Sequence, residues 1–127
     1  MTEKIYKILI IDDSMADRKI YRRFLTHQDQ VQLEILEAAS ANAGLEICSS
    51  SQPDCVILDF RLPDRDGLST LEDLLAIKRI PVIFITGQPE ALLVSEAFRR
   101  GAIKYISKDT VTSSSIQEAV YDALELL

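Results

Sequence analysis

Apolar residues come along this chain in short unbroken runs, each closed by an acid, a hydroxyl or a lysine. Ile8-Leu9-Ile10-Ile11 runs into Asp12-Asp13, and Cys55-Val56-Ile57-Leu58 into Asp59. Val82-Ile83-Phe84-Ile85 ends on Thr86, and Ile103-Lys104-Tyr105-Ile106-Ser107 leads to Lys108. Runs of this length, rich in Ile and Val and bounded by turn signals, predict strands buried on both faces of a parallel sheet. Leu33 to Glu37 alternates apolar and acidic residues instead, which predicts a less buried strand at the sheet edge.

Helical periodicity fills the intervals. Ser14 is placed to cap a first helix, with Asp17 in the capping-box position and Ala16, Ile20 and Phe24 on one face. Ser40 is placed to cap a second helix carrying Leu45 and Cys48, and Leu68, Leu71 and Leu75 make the stripe of a third. Pro89 suits the first turn of a fourth helix, with Ala91, Val94, Ser95 and Phe98 inward and Gly101 ending it. The Thr112 to Ser115 cluster opens a fifth, with Ile116, Val120, Ala123 and Leu127 toward the sheet. Strands alternating with helices in this way mean βαβ units, so a doubly wound α/β domain spanning residues 1–127 is expected.

That topology gives the strand ends their meaning. In an open parallel sheet the carboxyl ends of the strands lie along one edge, where ligands bind. Asp12, Asp13, Asp59, Thr86 and Lys108 are therefore expected to converge on one cleft. Any one of these acids alone reads as a solvated loop residue, and Lys108 alone as a surface charge. The ordered set reads as a site, because independent loops have no reason to spell it.

Composition narrows the classes. With 127 residues, 47% of them hydrophobic and 27% charged, the chain has the makings of a packed globular core. No apolar run approaches the roughly 20 residues of a membrane span. Met1-Thr2-Glu3-Lys4 carries an acid with no long apolar stretch behind it, so no secretory signal is expected and a cytoplasmic location is. Cys48 and Cys55 are too few for a disulfide framework and are expected to be small core residues. A net charge of −6 argues against direct nucleic-acid binding and suits a site that attracts a divalent cation. His27, the single histidine, is expected near the end of the first helix, where an imidazole is favoured.

Three carboxylates in one pocket raise one another's pKa unless a cation neutralises them, and hard oxygens suit Mg²⁺ with several waters retained. A carboxylate can also attack phosphorus to give an acyl phosphate, which makes Asp59 a candidate nucleophile.

The paired acids after strand 1, the lone Asp59, Thr86 and Lys108 resemble the receiver domain of two-component response regulators. Asp59-Phe60-Arg61-Leu62-Pro63-Asp64-Arg65-Asp66-Gly67 is similar to that family's Asp-x-x-x-Pro-x-x-x-Gly loop, and Gly101-Ala102 before Tyr105 and Lys108 fits as well. The resemblance implies a flavodoxin-like five-stranded sheet of order 2-1-3-4-5, helices on both faces, and a phosphorelay role. It implies Asp59 as phosphoacceptor and Mg²⁺ held by Asp12, Asp13, Asp59 and the backbone carbonyl of Arg61, with Asp12 acting through water. Lys108 and Thr86 would contact the phosphoryl oxygens, and Thr86 with Tyr105 would form the switch to the helix 4, strand 5, helix 5 face. The implied partners are a histidine kinase or histidine phosphotransfer protein as donor, and a downstream protein or attached output domain as target.

The sequence departs from the family at Asp109, which stands where a proline commonly follows the lysine; a cis bond there would cost about 2.5–4 kcal/mol, so a trans Lys108-Asp109 bond is expected. Arg61 and Gln88 occupy positions that in this family influence phosphoryl loss. The Thr86-Gly87-Gln88 and Lys108-Asp109 wording is similar to that of receivers joined to sensor kinases, and hints at an excerpt of a longer protein. Two rivals stay open. A haloacid-dehalogenase-type Mg²⁺ phosphatase also uses an aspartate nucleophile, but on an Asp-x-Asp of strand 1, and would turn over small phosphate esters. A pseudo-receiver would keep the fold as an interaction module without taking phosphate. A flavodoxin-like cofactor protein fits less well, because acids after strand 1 would repel a flavin phosphate.

Overall fold

A computed structural model describes residues 4–28, 30–87 and 90–125. Five strands and five helices alternate: β1 (Ile5–Ile11), α1 (Met15–Thr26), β2 (Gln32–Ala38), α2 (Ala41–Ser51), β3 (Cys55–Asp59), α3 (Gly67–Ile77), β4 (Val82–Thr86), α4 (Ala91–Arg99), β5 (Lys104–Ser107) and α5 (Ser113–Ala123). All strand pairs are parallel, in the order β2-β1-β3-β4-β5. This is the doubly wound, flavodoxin-like arrangement that the sequence implies.

The period of two along each strand divides the core into layers. Ile8, Ile10, Ile57, Ile83 and Ile85 point to one face, where they meet Tyr21 and Leu25 of α1 and Ile116 and Val120 of α5. Leu9, Ile11, Val56, Leu58, Val82 and Phe84 point to the other, against Cys48 of α2, Leu71 and Leu74 of α3, and Ala97 of α4. β3 and β4 are buried along their whole length, whereas the edge strand β2 exposes Gln32 and Glu34. Burial pushes the Cys55 thiol up to about 12 and raises that of Cys48, as inert core residues require.

Caps define the helix starts. Ser40 Oγ accepts the Ala43 N–H at 3.1 Å, and Asp66 Oδ1 accepts the Ser69 N–H at 2.9 Å. Thr112 and Ser115 cap α5 reciprocally. His27 closes α1 as its C-cap, and Gly101 follows α4 at a φ of +120°, a left-handed conformation that favours glycine. No peptide bond among the described residues is cis, Lys108-Asp109 included.

Two helix faces and one cap differ from the periodic reading. In α1, Ala16 and Ile20 are exposed, and the inward residues are Tyr21 and Leu25 with Phe24 half-buried. The helix is turned because its inner face also delivers charged Asp17 and Arg18 to the cleft, and an apolar stripe cannot register those. In α4, Ala91, Ser95 and Phe98 are exposed; Leu93 and Ala97 pack on the sheet and Val94 is half-buried. In α1 the Ser14–Asp17 pair is half a capping box: Ser14 Oγ accepts the Asp17 N–H at 3.1 Å, but Asp12 Oδ1 takes the Ser14 N–H. The expectations on Gln88, Pro89 and Leu127 lie outside the described residues.

Candidate functional site: an acidic cleft at the carboxyl edge of the sheet

Every element that builds the cleft ends there for a backbone reason. Asp12 follows β1 with its N–H on the Ala38 carbonyl of β2 at 3.0 Å, so it leaves the sheet in fixed register. Its Oδ1 accepts the Ser14 N–H at 2.9 Å, and its own carbonyl accepts Arg18 Nη1 at 2.6 Å. Arg18 is held in turn by Glu37 of β2, through Nε at 3.0 Å. Asp59 closes β3 opposite Ile85, and Phe60 N–H continues the ladder to the Ile85 carbonyl at 3.0 Å. Thr86 closes β4 fully buried, and its carbonyl accepts the Lys108 N–H at 2.9 Å.

The loop after Asp59 is fastened along its length. Arg61 and Asp66 pair across it as an antiparallel bridge. The Asp64 carboxylate accepts the N–H groups of Ala41 and Asn42 at 3.0 and 2.9 Å, which ties the loop to the start of α2. Gly67 admits the close approach of the Phe60 backbone: a β-carbon there would stand 2.8 Å from Phe60 Cα.

The acids and the lysine do converge. Asp12, Asp13 and Asp59 each offer a carboxylate oxygen, all within 4.8 Å of one another. Asp12 and Asp59 are buried and Asp13 is exposed. Lys108 Nζ lies 2.8 Å from Asp12 Oδ2, 2.8 Å from Asp17 Oδ2 and 3.2 Å from Asp59 Oδ2. Its contacts to Asp17 and Asp59 are hydrogen bonds, whereas the Asp12 contact is an ion pair without hydrogen-bond alignment, which leaves Asp12 Oδ2 buried and unbonded. Asp59 Oδ1 accepts the Arg61 N–H at 3.2 Å. Arg61 thus meets Asp59 through its backbone.

The electrostatics follow from burial and like charge. Desolvation, then the Asp12 charge, push the Asp59 carboxyl up to about 6, against the pull of Lys108 and the Arg61 N–H. Burial alone would lower Lys108, but the carboxylates of Asp12, Asp17 and Asp59 more than offset it and hold the ammonium above its usual range. Tyr21, buried beside the cleft, is raised by desolvation.

Hard carboxylate oxygens from three residues, one with an unbonded buried atom, fit a small divalent cation. Asp12, Asp13 and Asp59 are the residues that could hold it. Tyr105 sits on β5, half-buried, with its ring packed against the cluster that includes Phe84, 6.3 Å between centroids, and its hydroxyl is buried without a hydrogen-bond partner. The ring therefore already stands inward. Asp17 is the cleft residue that the motif reading missed; its position at the start of α1 suggested only a cap, and its partner is 91 residues away.

A five-stranded parallel α/β fold carrying this cleft is a defined class, and the comparisons place the chain within it. Residues 8–121 match the response regulator receiver domain family. The chain belongs to that family, the receiver domains of two-component systems. It is 28% identical over 120 residues to a protein-glutamate methylesterase/protein-glutamine glutaminase 3 of Paramagnetospirillum magneticum, covering 94% of this chain and 34% of that protein. It is 31% identical over 102 residues to the transcriptional regulatory protein SrrA of Staphylococcus aureus, covering 80% and 41%. A crystal structure of a CheY-like response regulator receiver domain protein from Methanospirillum hungatei superposes with a TM-score of 0.85 at 25% identity, covering 96% of this chain and 95% of that one. The chain spans about a third to a half of the length of the curated relatives it matches. No described helix is long and apolar enough to cross a membrane.

Proposed function

We propose that this domain takes a phosphoryl group from a phosphohistidine of a kinase or phosphotransfer protein onto Asp59. The observation that carries the reading is Asp59 itself: a buried carboxylate at the end of a central strand, within reach of Lys108 and beside two further acids. One Asp59 oxygen attacks phosphorus, the nitrogen–phosphorus bond breaks, and the imidazole leaves with the electron pair. With its pKa near 6, Asp59 is mostly ionised at neutral pH and so available as nucleophile. Lys108 turns its ammonium from carboxylate to phosphoryl oxygens, and the Thr86 hydroxyl donates to another.

Asp12, Asp13 and Asp59, with the Arg61 carbonyl, would hold Mg²⁺. Bound there, the ion neutralises the clustered negative charge that donor and acceptor bring together. Transfer is then mainly positioning, which the fastened Asp59–Gly67 loop supplies. The product is a signal: Thr86 and Tyr105 couple the phosphorylated cleft to the face formed by α4, β5 and α5. Since Tyr105 is already inward, the Thr86 contact is read as stabilising that inward state. Residues 1–127 act as one receiver unit, located in the cytoplasm, whose target is a downstream protein or an attached output domain.

Incubation with a phosphorylated histidine phosphotransfer protein tests the reading. The donor is expected to lose its label as this chain gains it stoichiometrically. Repeated turnover that releases inorganic phosphate from small esters would favour the phosphatase reading, and no uptake at all a pseudo-receiver.

A further inference from the structure

We propose that Asp17 is a positioning residue that shares Lys108 with Asp59 and so restrains phosphoryl transfer; this rests on the reading of Asp59 as acceptor. Asp17 is the third residue of α1 and ends no strand, yet its Oδ2 accepts from Lys108 Nζ at 2.8 Å, closer than Asp59 Oδ2 at 3.2 Å. Its carboxylate is free to do so because Asp12 Oδ1 already satisfies the Ser14 N–H, the group that a side chain at this helix position usually takes. Two protons of the ammonium are thus engaged by Asp17 and Asp59, and its charge is paired with Asp12 as well.

A phosphoryl oxygen on Asp59 needs one of those protons. The Asp12 side chain is fully buried and Asp59 carries the incoming group, so Asp17, at 34% exposure on the rim, is the partner that gives way. An interaction made in the ground state and lost on the way to the transition state slows the step. Asp17 therefore sets how fast Lys108 is handed over, and through it how fast Asp59 is charged.

The test uses acetyl phosphate, with which an Asp59 oxygen bonds to phosphorus as acetate leaves. Asp17→Asn, which keeps size and helix position, is expected to be labelled about three- to tenfold faster than the parent. Asp17→Glu, which restores a carboxylate, is expected to return the rate toward the parental one. In a Lys108→Ala background, Asp17→Asn is expected to leave the slower rate unchanged. A second readout needs no turnover: the nitrogen NMR signal of Lys108 Nζ moves in Asp17→Asn before any donor is added. A rate that is unchanged or lower, a gain that persists without Lys108, or an unmoved Nζ signal would each overturn the proposal. Failure of the parent to label on Asp59 would instead remove the reading beneath it.

Discussion

The Asp12 carboxylate accepts the Ser14 N–H at 2.9 Å while its other oxygen faces Lys108 Nζ at 2.8 Å, so one buried side chain both starts the first helix and charges the cleft. Its negative charge is the second cause, after desolvation, of the raised Asp59 pKa. That shift has a sign. A carboxyl raised from 3.8 to about 6 binds a proton more tightly folded than unfolded, so its contribution is present at low pH and is lost as pH rises through that window. At about 1.4 kcal/mol per pH unit, an ionised Asp59 costs the native state of order 3 kcal/mol. Without divalent cation, Asp59→Asn is expected to be more stable than the parent by about 1–3 kcal/mol above pH 7, with the gap closing toward pH 4. Urea denaturation across pH measures it, and a variant less stable at pH 8 would contradict the electrostatic account.

Mg²⁺ is expected to bind the unphosphorylated domain weakly and to stabilise it by mass action. At ten times the Kd the gain is about 1.4 kcal/mol, a Tm rise of roughly 4–7 °C for a domain of this size. Asp13→Ala removes an exposed carboxylate of the trio without opening the core, and should abolish most of that rise. An undiminished rise would move the cation elsewhere.

Gly67 tests the loop that holds Asp59. A β-carbon there would meet Phe60 Cδ2 at 2.6 Å and the Phe60 carbonyl oxygen at 2.9 Å, and the backbone part of that clash cannot be relieved by a rotamer change. Gly67→Ala is expected to cost about 1–3 kcal/mol in chemical denaturation and to slow labelling of Asp59. Parental stability would show that the loop yields more easily than its bonds imply.

Much of this was legible from sequence because period and punctuation act locally. The strand runs ended within a residue or two of their observed ends at Asp12, Asp59 and Lys108, and parallel pairing brought those ends to one edge. Helix phase was less legible. In α1 the inner face carries Asp17 and Arg18, whose partners are Lys108, Glu37 and the Asp12 carbonyl, so polarity there marks the cleft and not solvent. In α4 the eye follows large Phe98, yet the small Ala97 is what lets the helix lie against the sheet. The Asp17–Lys108 bond had no local signal, because it exists only once α1 and the loop after β5 share an edge.

Thr86 is expected to matter for response more than for chemistry. Thr86→Ala should still be labelled on Asp59. With beryllofluoride as phosphoryl mimic, amide shifts around Phe98 and Tyr105 should change less than in the parent, since the hydroxyl supplies part of the difference between the two states. Changes of parental size would place the coupling elsewhere.

The central claim is that Asp59 receives the phosphoryl group. An acyl phosphate is reduced by borohydride to an alcohol, which turns a phosphorylated aspartate into homoserine at that position and leaves free carboxylates untouched. After incubation with acetyl phosphate and Mg²⁺, mass spectrometry of the reduced peptides is expected to find homoserine at residue 59 and no label in Asp59→Asn. Homoserine at residue 12 or 13, or equal labelling of the Asp59→Asn protein, would contradict the account.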